Sequence, residues 1–257
     1  MTQSSDGPAS VMGPEPGPLA RVLGVFFSPA KTFESIARKP GMDWMLPVAI
    51  LMLLALVGGV LVNPKLDTDT AIKNTMKRIE ARQPMTDAQK EKTQTMVERQ
   101  FGLAKGPLRF IGPVFVLIPL LFVPAVYLGA AKAMGAAAKY GTIVAGYAYC
   151  QVPQIIKAII GLAVAAPRDS IDFNEIEHIV KSNVGSFLDP DTTSKPLMAL
   201  MNSVDLFEIW GLVLGSIMLA RTTKFSKNAA TIAVVSLWGL WVLLKFGGAA
   251  LGAAFGG

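Results

Sequence analysis

The sequence predicts an all-α membrane protein with five transmembrane helices, an N-terminal interfacial amphipathic helix and a helical hairpin between the first two spans. Three observations lead to this fold class. Five stretches approach the ~20 apolar residues that a helix needs to cross a bilayer. Hydrophobic residues make up 52% of the 257 residues and charged residues 16%, with a mean hydropathy of +0.46. The stretches also lack the alternation that is typical of membrane β-barrels.

The five spans are identified by their length and their shortage of charge. We place them at residues 46–62, 110–131, 141–166, 204–220 and 229–251, in a membrane domain of residues 41–254. The first two contain no charged residue, the third contains Lys157, and the fourth begins with Asp205 and Glu208. A sixth span between Pro167 and Pro196 is disfavoured, because each charge there would cost roughly 2.5 to 3.5 kcal/mol at mid-bilayer.

The segment before the first span divides into a tail and a basic helix. Residues 1–18 are rich in proline, glycine and serine and lack the features of a secretory signal, so we expect a disordered tail. Residues 19–40 are predicted to form an interfacial amphipathic helix, in which Ser28 and Pro29 make a favourable start. Its basic residues are Arg21, Lys31, Arg38 and Lys39. They face anionic lipid headgroups if the helix lies in the membrane interface; alternatively, the helix packs on the protein's own cytoplasmic face.

Residues 67–101, between the first two spans, are predicted to form an extramembrane helical hairpin. The first helix runs from Asp67 to Arg82, and the second begins with Thr86 as N-cap and Gln89 at the third position, the pattern of a capping box. We expect a modest apolar seam, formed by Met76, Ile79, Met96, Val97 and Phe101.

The distribution of positive charge predicts a cytoplasmic N-terminus. The N-terminal segment and the two short loops after the second and fourth spans are basic, whereas the loop of residues 167–203 is acidic. The loop of residues 63–109 carries ten basic and six acidic residues, which argues against this orientation. Long loops translocate with less sensitivity to charge, so we keep the N-terminus inside and the C-terminus outside.

Three local patterns follow one another along the chain. The first is the string Phe-Ser-Pro-Ala-Lys-Thr-Phe at residues 27–33, leading to a basic-proline pair before the first span. The second is Tyr-Ala-Tyr at 147–149 followed by Pro153. The third is Asp-Leu-Phe-Glu-Ile-Trp at 205–210, followed by Lys-Phe-Ser-Lys at 224–227. Together they resemble the Yip family, the Ypt/Rab-interacting domain proteins, and specifically its bacterial branch. The positions that carry the resemblance are Pro29, Phe33, Tyr149, Pro153, Phe207, Trp210, Lys224, Ser226 and Lys227.

The resemblance implies a five-helix membrane domain with a cytoplasmic N-terminus, located in the bacterial inner membrane. Eukaryotic members are linked to vesicle trafficking and bind small GTPases of the Rab class, but bacteria have no such pathway. For a bacterial member the resemblance therefore implies an integral membrane protein of undetermined role. The chain departs from the family in its N-terminal tail and in the long basic hairpin after the first span.

Polar residues inside the spans are the candidate functional group, because polar groups are expensive in a bilayer. Gln151, Gln154 and Lys157 are spaced three apart and share one face of the third span. By depth, Lys157 lies near Asp205 and Glu208 of the fourth span and Lys245 of the fifth. We hypothesise a cluster in which the two lysines pair with the two carboxylates. In the alternative, the lysines extend to the headgroups and the acids lie in water.

Two functions remain open on this evidence. The first is a non-enzymatic scaffold or adaptor that uses its basic cytoplasmic segments on protein partners or anionic lipid. The second is a small transporter or permeation pathway through spans three to five. A pathway predicts a water-connected cavity reaching Lys157, whereas a scaffold predicts that this lysine is sealed by carboxylates.

Catalytic and metal chemistry are not expected. A lone Cys150 and a lone His178 offer no basis for an intrachain disulfide, a metal site or Cys/His catalysis. No phosphate-binding loop or serine nucleophile pattern occurs. We therefore predict no enzyme activity and no cofactor. The net charge of +6 is accounted for by the basic flanks of the spans and indicates no nucleic acid.

Overall fold

The structure is a computed structural model that describes residues 15–82, 84–106, 110–189 and 192–255. Within these ranges the helices are α1 (Pro18–Phe27), α2 (Pro29–Arg38), α3 (Met45–Leu61), α4 (Thr68–Arg82), α5 (Asp87–Lys105), α6 (Gly112–Ala133), α7 (Tyr140–Cys150), α8 (Val152–Ala165), α9 (Lys195–Asn202), α10 (Leu206–Thr223) and α11 (Lys227–Phe255). Two short strands, β1 (Leu66–Asp67) and β2 (Ile171–Asp172), pair in parallel and join the loops after the first and third spans.

Five helical stretches are long and apolar enough to cross a membrane, which confirms the all-α membrane fold. They are Met45–Lys65, Gly112–Ala133, Tyr140–Ala165, Leu206–Thr223 and Lys227–Ala253. The ends of all five lie within three residues of the predicted ones, close to the usual uncertainty of helix ends. In the described residues between the third and fourth spans, the structure has short helices and β2.

The third span is built from two helices, α7 and α8, that meet at Gln151. Pro153 lies in the first turn of α8 and has no N–H, so the carbonyl of Tyr149 loses its usual helical partner. The Gln151 N–H donates to the carbonyl of Ala148, three residues earlier, at 3.3 Å, where a regular α-helix would use the carbonyl four residues earlier. The proline therefore places a break beside the polar face that the sequence identifies.

The predicted single helix of residues 19–40 is wrong in one respect, because the structure has two helices there. Ser28 separates α1 from α2 with φ of −150° and ψ of 56°, and Pro29 begins α2. The Ser28 hydroxyl makes no capping hydrogen bond, so the predicted side-chain cap is absent. Thr32 Oγ1 donates to the Ser28 carbonyl instead, at 3.1 Å. Of the predicted tail, residues 1–14 lie outside the described residues, and Pro18 already belongs to α1.

The two N-terminal helices differ in what they cover. Helix α2 packs on α7 and α10 and buries Phe33 and Ile36 completely. Helix α1 buries Val25 but exposes Leu19, Leu23 and Phe27, which recur every four residues and form one apolar row. Of the two arrangements left open, packing on the protein is therefore present for α2, while α1 packs through one face and leaves an apolar row exposed.

The hairpin of α4 and α5 follows the sequence closely. Gln89 N–H donates to Thr86 Oγ1, and Thr86 N–H donates to Gln89 Oε1, which confirms the capping box. Met76 and Val97 are buried as expected, but Met96 is 58% exposed and does not join the seam. The hairpin also contacts the loop after the third span, where the Phe101 and Phe173 rings meet edge to face at 5.1 Å.

Helix α10 lies at the centre of the bundle. It packs against α2, α7, α8 and α11, and its Leu214, Met218 and Leu219 are almost completely buried. Its approach to α7 is close, because a Cβ on Gly146 would lie 2.5 Å from Met218 Cγ. Helix α10 contacts both α7 and α8. Its position against the third span therefore decides which polar groups of the two spans meet.

Candidate functional site

The central contact of the candidate site joins the third and fourth spans. Lys157 Nζ lies 2.8 Å from Asp205 Oδ2. The Asp205 side chain is 3% exposed and that of Lys157 is 30% exposed, so the ion pair is buried on the acidic side only. One of the pairings that we hypothesised is thus present, and it fixes α8 against the start of α10.

Asp205 has three further partners. Two are backbone N–H groups in the first turn of α10, and one is a hydroxyl in the loop after the third span. Its Oδ1 accepts hydrogen bonds from the N–H groups of Phe207, at 2.9 Å, and Glu208, at 3.1 Å, which makes it the N-cap of the helix. Its Oδ2 also accepts a hydrogen bond from the Ser182 hydroxyl. An N-cap carboxylate is favoured by the positive end of the helix dipole. The two oxygens are therefore fully engaged within the protein.

The other half of the hypothesised cluster is not formed. Glu208 Oε1 accepts the indole N–H of Trp238 at 2.9 Å, which joins α10 to α11 without a lysine. Lys245 Nζ lies 5.9 Å from the centroid of the Trp241 ring, one turn earlier on the same helix. Among the described residues, Lys245 forms no ion pair with a carboxylate. The sequence could match depths along the helices, but it could not give the rotation of α11 that turns Trp238, and not Lys245, towards Glu208.

The two glutamines stand apart from the Lys157 ion pair. Gln151 occupies the junction between α7 and α8, and Gln154 lies in the first turn of α8, one turn before Lys157. Both are half-buried. Because the helix breaks at Gln151, only Gln154 and Lys157 keep their three-residue spacing within one helix, and of the three residues Lys157 contacts Asp205.

A second polar cluster, centred on Arg21, lies on the N-terminal side of the bundle. The sequence suggested a basic residue facing lipid, but the structure buries Arg21 to 2% exposure. Its Nη2 donates to Ser35 Oγ at 3.1 Å and to the Lys39 carbonyl at 3.0 Å, and its Nη1 lies 3.3 Å from Asp43 Oδ2. Burial is tolerated because a nearby acid neutralises the guanidinium and fixed oxygens accept from it. Arg21 therefore joins α1, α2 and the start of the first span.

The cluster extends to the residues just before α1. Glu15 lies 3.4 Å from Arg38 Nε and 4.0 Å from Arg21 Nη2. A hydrogen bond from Ser35, together with the nearby Arg38 and Arg21, lowers the pKa of Glu15 below its ordinary value. A cavity of about 300 Å³ opens beside Arg21, lined also by Glu15, Lys39 and Asp43. No local pattern in the sequence indicates that Arg21 meets Ser35, Lys39 and Asp43. These residues come together only when α1 packs against α2.

Of two cavities in the described part of the protein, neither reaches the Lys157 ion pair. One is the Arg21 cavity, and the other is a groove of about 340 Å³ between α10 and α11 near Arg221. In the described part of the chain, no three His, Cys, Asp or Glu side chains are grouped closely enough to hold a metal ion. Cys150 is buried and unpaired, and His178 Nδ1 lies 3.1 Å from Ser186 Oγ in the loop after α8.

A comparison with known protein families finds a match. The sequence model of the Yip1 domain matches residues 23–249. The chain belongs to the Yip1 domain family. No curated protein and no solved structure matches the chain. The Yip1 match begins within α1 and ends in the second half of α11, so it includes four spans, most of the fifth and the Lys157–Asp205 pair, whereas Arg21 and Glu15 lie before it.

The positions that resembled the Yip family occupy defined places in the fold. Pro29 starts α2, and Pro153 lies at the break in the third span. Phe33, Tyr149 and Phe207 are buried, and the Trp210 ring packs edge to face on Phe26, at 5.2 Å. The last three lie at the turn into α11: Lys224 has a left-handed φ of 63°, Ser226 Oγ accepts the Ala229 N–H, and Lys227 is the first residue of the helix.

Proposed function

We propose that this Yip1-domain protein is a non-enzymatic membrane scaffold or adaptor. The observation that carries the proposal is the state of Asp205, whose oxygens are occupied by Lys157, Ser182 and two backbone N–H groups. A permeation pathway needs polar groups that can exchange partners with a passing solute. A carboxylate that is 2% exposed and used as a helix cap serves the packing of the spans instead.

The working surface of the scaffold is its N-terminal face, which we place in the cytoplasm of a bacterial cell, at the inner membrane. Helices α1 and α2 form a platform that is held to the spans from two directions. Arg21 fixes α1 to Asp43, and Arg221 Nη1 pairs with Glu34 Oε1 at 2.6 Å, which fixes α2 to α10. The exposed Lys31 of this platform is available to protein partners or to anionic lipid headgroups.

The scaffold and the pathway can be separated by the water accessibility of the third span. Single cysteines at Gln151 and Gln154, in a Cys150→Ala background, report whether a membrane-impermeant thiol reagent reaches the polar face. The scaffold predicts protection at both positions, as at the lipid-exposed control Ile159→Cys. Labelling of Gln154→Cys at a rate near that of Thr95→Cys in the hairpin, with Ile159→Cys protected, would establish a pathway and overturn the proposal.

The orientation is tested by the same reagent on intact cells. Cysteines at Lys31 and Lys139 report the N-terminal side, and cysteines at Thr95 and Asp169 report the other. We expect labelling only at Thr95 and Asp169 in intact cells, and at all four after permeabilisation. Labelling of Lys31→Cys in intact cells would place the platform outside.

Partner binding is tested by a photo-crosslinking amino acid at Lys31, on the solvent side of α2. The scaffold predicts a discrete protein adduct in cells that is absent when the same group replaces Ile159, which faces lipid. Adducts to lipid alone at both positions would argue against a protein partner at this face.

A further inference from the structure

A groove of about 340 Å³ opens on the side of the bundle where α10 ends and α11 begins. Its walls include Val213, Ile217 and Ala220 of α10, and Ala30 of α2 also contributes. Val213 is 53% exposed although it lies inside a membrane-spanning helix, so this side faces the bilayer. The groove is therefore in contact with lipid chains rather than with the aqueous phase.

The mouth of the groove is cationic. Arg221 and Lys227 line it, and none of the described residues that line it is acidic. Arg221 is paired with Glu34 of α2, which leaves other guanidinium N–H groups available. Lys227 has no hydrogen-bond or ion-pair partner within the described part of the chain. Val213 and Arg221 are eight residues apart on α10, which separates the apolar wall from the cationic mouth by about 12 Å along the helix axis.

The turn between the two spans sets this geometry. Lys224 adopts a left-handed conformation with φ of 63°, which reverses the chain directly after α10. Ser226 then caps α11, so that Lys227 begins the helix beside Arg221. The N-terminus of α11 adds the positive end of its helix dipole to the two side-chain charges. The opposite end of α10 carries the acids Asp205 and Glu208, so the positive mouth lies at one end of this helix only.

We propose that this groove binds one phospholipid with an anionic headgroup, in the leaflet on the N-terminal side. An acyl chain lies along Val213, Ile217 and Ala220, and the headgroup lies between Arg221 and Lys227. Basic pockets between spans bind anionic headgroups in this way, because a zwitterionic headgroup brings its own cation against the lysine. The inference depends on the membrane location of the chain and is independent of the scaffold proposal.

The test measures lipid retained by the purified full-length protein in detergent, using native mass spectrometry. Phosphatidylglycerol and phosphatidylcholine with identical acyl chains are the probes. We expect preferential retention of one phosphatidylglycerol by the parent protein. Lys227→Gln should weaken that binding about fivefold, the effect of one lysine near an anionic headgroup. Lys139→Gln is the matched control, since Lys139 is an exposed cation on the same side that does not line the groove.

A second variant tests the groove itself. Ala220→Phe fills the apolar wall while leaving both cations in place, and we expect it to reduce retention of both lipids; Val213→Phe replaces it if that protein is not monodisperse. Equal retention of the two lipids by the parent protein would overturn the proposal. So would equal losses in Lys227→Gln and Lys139→Gln. A loss in Lys227→Gln without one in the wall variant would indicate binding to surface charge and not to the groove.

Discussion

Lys157 reaches Asp205 across the interface between the third and fourth spans, with 2.8 Å between Nζ and Oδ2. The contact joins a lysine in the middle of α8 to the N-cap of α10, so one carboxylate both starts a span and holds its neighbour. Removing the lysine leaves a buried charge that still has the Ser182 hydroxyl and two backbone N–H groups. The effect should be clear but below that of an isolated buried ion.

We expect Lys157→Met to destabilise the protein by ~1–3 kcal/mol, because it leaves Asp205 without its charged partner. Asp205→Asn in the same protein should recover part of that loss, since the carboxamide carries no charge. Thermal unfolding of the two single variants and the double variant in detergent gives the coupling energy. Lys245→Met is the control, and a loss equal to that of Lys157→Met would contradict the pairing.

Trp238→Phe should cost about 1–2 kcal/mol, because it removes the N–H that Glu208 accepts between α10 and α11. Glu208→Gln keeps an acceptor oxygen and should cost less. In the double variant, the loss should be smaller than the sum, since a neutral amide is easier to leave without a donor than a carboxylate. Additive losses in the melting experiment would show that the contact contributes nothing.

Arg21→Met should loosen the N-terminal platform by ~1–3 kcal/mol, because Ser35 and the Lys39 carbonyl lose their donor. Limited proteolysis is the direct measurement, with cleavage between residues 15 and 40 accelerated in the variant. Arg38→Gln is matched in position but 52% exposed, and its pair with Glu15 should contribute under about 1 kcal/mol. Equal cleavage rates in both variants would mean that burial gives Arg21 no special role.

Gly146→Ala should destabilise the contact between α7 and α10 by about 1–3 kcal/mol, because the added Cβ would lie 2.5 Å from Met218 Cγ. Met218→Ala introduced into the same protein should reduce the loss by making room. Gly141→Ala on the same helix is the control, since a Cβ there meets no atom within 4 Å. Equal melting temperatures for the two glycine variants would show that the Met218 side chain accommodates the added Cβ and that Gly146 does not limit the approach of α7 to α10.

The spans and the hairpin cap were predictable because their causes are local. The hydropathy of each apolar stretch is sufficient by itself to identify a transmembrane helix. Thr86 and Gln89 are three residues apart, which is the spacing of a capping box. Ser28 shows the limit of a local signal: its place before Pro29 predicted the helix start correctly, but the side-chain cap was absent. The interfacial segment similarly became two helices, because packing on α7 and α10 decides where α2 lies.

The sequence by itself determined that this protein lies in a membrane, how many spans it has and the family to which it belongs. Transfer of apolar residues into lipid is summed along each stretch, so those properties need no knowledge of neighbours. Only the tertiary structure decided which charges meet: Lys157 with Asp205, Glu208 with Trp238, and Arg21 with three segments of chain. Such pairs depend on the rotation and depth of whole helices, and small residues such as Gly146 set those values by allowing close approach.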